Sequence, residues 1–342
     1  MSATGAAIAA IEYHLPAGAV STEQLAAEFP EWPVEKMDAQ MGIRVRHTAE
    51  EGECASDLAV EAAKKLFASG VCLPEHIDYV LFCTQTPDYF LPTTACVIQD
   101  RLGIPQFAGA TDFDLGCSGF VVGLGLAKGL VETGQAANVL LLTGDTLSKL
   151  VNRRDRSVRP IFGDGAAATL VSAVEDRGSP WLGPFVYGTD GSGAKNLIVP
   201  AGGMRQPRSA ETAVEREAES GNFRSLDNLF MNGAEIFNFA LRRVPGCVHD
   251  LLEKAKLDQD SVDLFVLHQA NQYMLEHLRK KLKIPPEKFV ISMSHCGNTS
   301  SSSIPVALRD AQTAGRLKSG DVAMVIGFGV GYSWAGGLVR WR

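Results

Sequence analysis

Cys117 is the residue best set up for covalent chemistry. The stretch Asp112-Phe113-Asp114-Leu115-Gly116-Cys117-Ser118-Gly119-Phe120 reads as a strand end, a tight turn and a helix that begins on the cysteine. Unpaired N–H groups and the positive dipole end at a helix start favour a thiolate, so a pKa of roughly 8.5 is expected to fall toward neutrality. A thiolate is a nucleophile. A small buried core thiol is the bland alternative, but the turn and the helix start point to a reactive one. His268 follows the apolar run 262–267, and in open α/β sheets the carboxyl ends of strands carry the sites. It reads either as a chemical group or as a core histidine bonded to backbone. Gln269 and Asn271 either orient its imidazole or begin the next helix, and His295, close to Asn298, reads as structural.

Elements that could hold these residues are legible around them. Residues 118–133 are apolar almost all round and close on Gly134, the pattern of a buried helix with a glycine just past its end. Gly119, Gly123, Gly125 and Gly129 each weaken that helix by roughly 1 kcal/mol against Ala, so close packing on a neighbour is expected. Lys128 and Glu132 interrupt a run already too short to span a bilayer. Residues 6–13 read as a first strand, with no basic region of a signal peptide before them. Ser21 with Glu23 and Gln24 starts a helix broken at Pro30 and Pro33, and Ser56 and Asp57 cap another over 58–68. The apolar runs 77–83 and 138–144 fit buried parallel strands. Arg153, Arg154, Arg156 and Arg159 cluster before the turn at Gly163-Asp164-Gly165, either as a solvated face or as phosphate contacts.

With 342 residues, 46% of them hydrophobic, the chain can bury a large core. Seven cysteines without CxxC or zinc-type spacing argue against a disulfide framework or a metal site and for a reducing compartment, so a cytoplasmic location is expected. A net charge of −7 gives no nucleic-acid footprint. Neither nucleic acid nor membrane is expected as a partner.

The second part of the chain repeats the first. Residues 262–267 echo 77–82, and 321–327 match 138–144. Asn298, read as opening a helix that runs to 308, stands nearly as far before Gly327 as Cys117 stands before Gly144. Two halves, 1–175 with Cys117 and 176–342 with His268 and Asn298, are therefore expected. Their β-α-β order predicts an α/β protein with mostly parallel sheets back to back and both central helices between them.

Four motifs in this order, Gly116-Cys117-Ser118-Gly119-Phe120, Phe162-Gly163-Asp164-Gly165-Ala166, His268-Gln269-Ala270-Asn271 and Gly297-Asn298-Thr299-Ser300, together resemble the β-ketoacyl-acyl-carrier-protein synthase III family of the thiolase superfamily. The resemblance covers nearly the whole chain. It implies the five-layered α-β-α-β-α thiolase fold with two pseudo-symmetric halves, a homodimer, and an acyltransferase of fatty acid biosynthesis that works by decarboxylative Claisen condensation. Cys117 would take the acyl group from a thioester, and His268 and Asn298, as neutral donors, would stabilise the enolate formed when malonyl-acyl carrier protein loses carbon dioxide. Backbone N–H groups of Cys117 and Gly331 would form the oxyanion hole, where glycine permits close approach. No cofactor is implied, since coenzyme A and phosphopantetheine thioesters are substrates.

Departures from the family pattern refine these expectations. The tryptophan and arginine that hold the coenzyme A adenine fall on Lys36 and Gln40, so the stacking clamp is expected to be absent, although Arg156 keeps a family arginine. Leu91 stands where a phenylalanine from the partner subunit meets the primer, which implies a roomier acyl pocket, and Asn271 is implied as a further substrate contact. Tyr273 replaces a carrier-docking arginine, which leaves Arg279, Lys280 and Lys281 as the basic helix for an acidic carrier protein. Segment 202–222 is longer than the usual loop and either covers the entrance or is a solvated insertion. Thiolase itself needs a second cysteine where this chain has Gly327-Phe328-Gly329, and a papain-like protease sets its cysteine in a different signature. A specialised relative that transfers the acyl group to a different nucleophile stays open. Retention of Cys117, His268 and Asn298 argues against a non-catalytic partner.

Overall fold

The computed structural model describes residues 4–175, 181–218 and 221–342. The first half runs β1 (Thr4–His14), β2 (Gly18–Ser21), α1 (Thr22–Glu28), α2 (Val34–Met41), β3 (Val45–Thr48), α3 (Ala55–Ala68), β4 (Tyr79–Cys83), α4 (Thr94–Arg101), β5 (Gly109–Phe113), α5 (Gly119–Glu132), β6 (Asn138–Asp145) and β7 (Gly165–Glu175). The second runs β8 (Leu182–Thr189), the short strands β9 (Leu197–Ile198), β10 (Arg216–Glu217), β11 (Phe223–Arg224) and β12 (Phe230–Met231), then α6 (Gly233–Ala255), β13 (Leu264–Leu267), α7 (Gln272–Lys281), α8 (Ser303–Thr313), β14 (Val322–Gly329) and β15 (Ser333–Arg340). The expected boundary after residue 175 meets residues 176–180, which lie outside the described residues, as do 1–3 of the N-terminal reading and 219 and 220 of segment 202–222.

One sheet has the order β1-β7-β6-β4-β5 and the other β13-β14-β15-β8. Read from its β8 edge, the second sheet reproduces the first, with the place of β5 reduced to a single bridge between Phe265 and Phe289. The sheets are mixed rather than mostly parallel: β4–β5, β4–β6 and β13–β14 are parallel, whereas β1–β7, β6–β7, β14–β15 and β15–β8 are antiparallel. The reason is plain in the second half, where residues 330–332 join β14 to β15 and so short a turn permits only an antiparallel pair.

Five layers follow from where the apolar side chains go. Phe120, Leu124 and Val131 of α5 and Ile304 and Leu308 of α8 share one core with Leu141 and Val171 of the first sheet and Val266 and Val325 of the second. Sheet therefore covers the central helices on both sides, which explains a helix that is apolar all round. Outside, α3 and α4 pack on the first sheet and α6 and α7 on the second. Gly119 and Gly123 serve that packing: an added methyl would lie 2.2 Å from Cys83 Sγ or 2.6 Å from Leu141 Cδ1. Gly129 faces open space, so packing does not account for it.

The ends of the elements carry local signals. At the expected helix start, Ser21 and Gln24 form a reciprocal capping box on α1. On α3 the cap lies earlier than expected, with Asp57 accepting from the Cys54 backbone at 2.6 Å. Gly134 takes the left-handed conformation (φ +72°) that ends α5. No helix among the described residues is long and apolar enough to cross a membrane.

Candidate active site

Cys117 lies in the turn between β5 and α5, two residues before the helix starts at Gly119. The turn is held from behind by Asp112, whose carboxylate accepts the Thr94 and Ala95 backbone N–H groups at 2.6 and 2.7 Å. From the other half β14 presses on it: a methyl on Gly329 would sit 2.7 Å from Cys117 Sγ, and one on Gly327 2.6 Å from the Cys117 carbonyl oxygen. Only 7% of Cys117 is exposed. Burial pushes its thiol up to about 12, against the lowering pull of the Val330 and Cys117 backbone and the Ser300 hydroxyl, while nearby Asp145 raises it further. The thiolate expected from the helix start is therefore not the resting form, because desolvation of the charged sulfur outweighs the helix end.

Cys117, His268 and Asn298 line one cavity of about 60 Å³, together with Phe162, Asn271 and Phe328. His268 follows β13 and is 2% exposed, with its Nδ1 2.7 Å from Ser303 Oγ. That hydroxyl also accepts the Gln269 N–H at 3.3 Å, which fixes it against the ring. Burial pulls His268 down to about 3, and the raising influence of the Ser300 backbone does not offset it. The ring is thus neutral at any physiological pH, and Phe328 meets it edge-on at 5.6 Å.

Asn298 does not open a helix. It bridges to Phe162 of the first half, with Gly163 N donating to its carbonyl (3.1 Å) and its own N–H reaching Ile161 O (2.9 Å), and a 3-10 turn at Ser300–Ser302 two residues on leads straight into α8. The backbone bonds to residues 161 and 163 hold it extended where the helical pattern predicted a start. Its side-chain Oδ1 accepts from Ser300 N at 2.9 Å. Ser300 is a residue the sequence reasoning missed. Its φ of +52° costs a non-glycine residue roughly 1–2 kcal/mol, yet it places the hydroxyl against Cys117. The four consecutive serines 300–303 were the available signal.

Behind the cysteine the halves are stitched by polar pairs: Ser118 Oγ to Ser333 Oγ at 2.7 Å, Thr143 Oγ1 to Ser302 Oγ at 2.9 Å, and Ser301 Oγ donating to Asp145 at 3.1 Å. Burial pushes Asp145 up to about 7, and the Gln85 N–H (2.7 Å) with Ser300 and Ser301 pull the other way.

Other expected residues are placed as follows. The Val330 backbone pulls the Cys117 thiol pKa down. Gly331, at φ +130°, instead makes the turn between β14 and β15, a conformation side chains avoid. Asn271 caps α7 by accepting from Met274 N at 2.8 Å and also lines the cavity. Gln269 does not orient the imidazole; it ties β13 to Val290 and Ser292. Leu91, 86% exposed beside Tyr89 and Phe90, lines neither cavity that Cys117 opens on in its own chain. Arg279 is committed to Glu276 and to the Ile284 carbonyl, whereas Lys280 and Lys281 are exposed. His295 stands 3.6 Å from Asp310, in keeping with a structural role.

The arginine cluster is paired rather than simply solvated, Arg154 with Glu215, Arg156 with Glu31 and Arg159 with Glu28. Arg156 also lines a cleft of about 370 Å³ with Trp32, Lys36, Gln40 and Asn222. Sequence alignment passed over Trp32, which stands four residues before Lys36 and is brought beside Arg156 by the fold. Segment 202–222 folds onto this rim: Glu215 accepts from Asn152 at 2.7 Å and Asn222 from the Arg156 backbone at 3.0 Å. A second cavity opening on Cys117, of about 180 Å³, is lined by Gln85, Asp114, Leu147, Phe162, Leu229 and other largely apolar residues.

Comparison with known proteins assigns this architecture. The family model of 3-oxoacyl-[acyl-carrier-protein] synthase III matches residues 111–191, and the model of its C-terminal region matches 252–341. The β-ketoacyl-[acyl-carrier-protein] synthase III of Caldanaerobacter subterraneus subsp. tengcongensis is 39% identical over 319 residues, 93% of this chain and 92% of that protein. A solved 3-oxoacyl-(acyl-carrier-protein) synthase III shares 54% identity and a TM-score of 0.97 over 98% of this chain and 100% of its own. The 3-oxoacyl-(acyl-carrier protein) synthase of Burkholderia xenovorans LB400 shares 37% identity and a TM-score of 0.89 over 100% and 95%. With sheets, central helices and motifs all in agreement, the chain belongs to the 3-oxoacyl-[acyl-carrier-protein] synthase III family and has the thiolase fold.

Proposed function

We propose that Cys117, His268 and Asn298 are the catalytic residues of a condensation between an acyl thioester and malonyl-acyl carrier protein. The chain is an acyltransferase of the ketoacyl synthase III family. In the proposed sequence, Cys117 sulfur attacks the primer thioester, and its proton leaves with the departing carrier thiol, so no resting thiolate is needed. The Val330 and Cys117 backbone groups, whose pull lowers the thiol pKa, are taken as the donors that hold the tetrahedral oxyanion. Malonyl thioester then enters beside His268 and Asn298. Loss of carbon dioxide leaves an enolate, whose oxygen a ring N–H of neutral His268 and the Asn298 amide stabilise without giving up a proton. The enolate carbon attacks the acyl-cysteine carbonyl, the carbon–sulfur bond breaks, the 3-ketoacyl product leaves, and the expelled Cys117 thiolate takes a proton from water to restore the thiol.

The observation that carries this reading is the single cavity shared by a thiol, a permanently neutral imidazole and a primary amide. The relatives are named for synthase III, which favours malonyl attack over transfer to a different nucleophile. The proposed chemistry needs only the thioesters and these side chains. The cleft at Trp32, Lys36 and Arg156 supports arrival of the primer on coenzyme A, and exposed Lys280 and Lys281 support carrier docking at the end of α7. A homodimer that buries the loop at Leu91 and the free edge of β5 fits the exposure of Tyr89, Phe90, Leu91 and Phe107. Seven free cysteines support a cytoplasmic setting. Incubation with acyl-coenzyme A should add one acyl mass at Cys117 and none in Cys117→Ser; a label at any other residue would refute the assignment.

A further inference from the structure

Asp112, Asp145 and Asp164 all build scaffold, each accepting backbone N–H groups at 2.6–2.9 Å. Asp114 is different. It stands three residues before Cys117 and lines the larger cavity that opens on the sulfur, but among the described residues its carboxylate accepts no hydrogen bond and forms no ion pair. Gln85 lines the same cavity: its Oε1 accepts from Ser300 at 3.5 Å, while its amide NH₂ makes no bond there. Around them the wall is apolar, with Leu147, Leu150, Phe162 and Leu229. Asp114 is exposed to solvent, and its partial burial against the cavity wall raises its carboxyl pKa.

We propose that this cavity selects a short acyl primer that carries a hydroxyl group, which donates to the Asp114 carboxylate and accepts from the Gln85 amide. The proposal rests on the reading of Cys117 as the acylated residue. A plain alkyl primer would displace water from a carboxylate and an amide and offer no hydrogen bond in its place, an arrangement that polar sites disfavour. An ammonium group would satisfy Asp114 alone and leave Gln85 facing a second donor. A primer with a terminal carboxylate would meet Asp114 as a like charge.

The test is the rate at which Cys117 of the full chain gains mass from butyryl-, 3-hydroxybutyryl-, 4-hydroxybutyryl- and 4-aminobutyryl-coenzyme A. One of the hydroxy thioesters should acylate at least about tenfold faster than butyryl, the size of a hydrogen bond to a charged group. Asp114→Leu should abolish or reverse that preference, and Asp114→Asn should reduce it. The proposal is overturned if butyryl is as fast as both hydroxy thioesters, if the amino thioester is fastest, or if the preference survives Asp114→Leu. The wild-type comparison decides alone should Asp114→Leu fail to fold. Absence of label from every thioester would instead sink the ketosynthase reading beneath it.

Discussion

Replacement of Gly329 by alanine tests the contact on which Cys117 depends. The new methyl would fall 2.7 Å from Cys117 Sγ and 2.8 Å from its Cβ, whereas ordinary contact begins at 3.4 Å. Something must yield by roughly 1 Å. β14 cannot retreat, because Phe328 beside it is buried against His268 and the strand is paired along its length to β15. The cysteine therefore moves, away from the Val330 backbone and the Ser300 hydroxyl that bond its sulfur. A displacement of about 1 Å at a reacting atom costs about 10²-fold in rate, and overpacking of this kind destabilises by about 1–3 kcal/mol. Gly329→Ala should thus stay folded, with a lowered melting temperature, and acylate at about a hundredth of the wild-type rate in a quenched intact-mass assay. Acylation within about twofold of wild type, at unchanged melting temperature, would show that β14 does not hold the sulfur and refute the packing described above.

Two further outcomes separate the roles of the cavity residues. His268→Ala and Asn298→Ala should lose malonyl decarboxylation, followed as carbon dioxide release, far more than self-acylation of Cys117, and equal loss of both would contradict the division of labour. His268, held down to about 3, stays neutral from about pH 5 to 8, so decarboxylation should show no acid limb that disappears in His268→Gln. The same shift makes folding depend on pH. Below about 6.5 the unfolded chain takes up a proton that the folded chain refuses until about 3, so stability is full above 6.5 and is lost as pH falls. At pH 5 the loss amounts to about 2 kcal/mol, and the urea midpoint of His268→Gln should fall correspondingly less between pH 7 and pH 5.

Much of this was legible in the residues themselves. The apolar runs on either side of Cys117 and their repetition around Asn298 foretold two like sheets with buried helices between them, because period and hydrophobicity survive in sequence. Strand direction did not: a β-α-β pattern says nothing of β14 and β15 turning back on each other through residues 330–332. The charge state of Cys117 was misread for a similar reason, since a helix start is a local signal while burial under β14 is supplied by residues about two hundred positions away. The part played by Val330 went unread because glycine spacing marks a close approach without saying which N–H lies near the sulfur. Trp32 was overlooked because α2 sets it beside Arg156 from outside the expected register.

The serine and threonine pairs between the halves have a consequence for how this molecule can change. Each half lends hydroxyls to the other, so neither is an exchangeable module despite their shared architecture. A chimera that joins the first half of this chain to the second half of a distant relative must inherit Ser118 with Ser333, Thr143 with Ser302 and Asp145 with Ser301 as matched sets. Without them, the two arms of the site would lose their common frame while each half still folded around its own sheet. The two halves share a topology, and the seam obliges them to vary together.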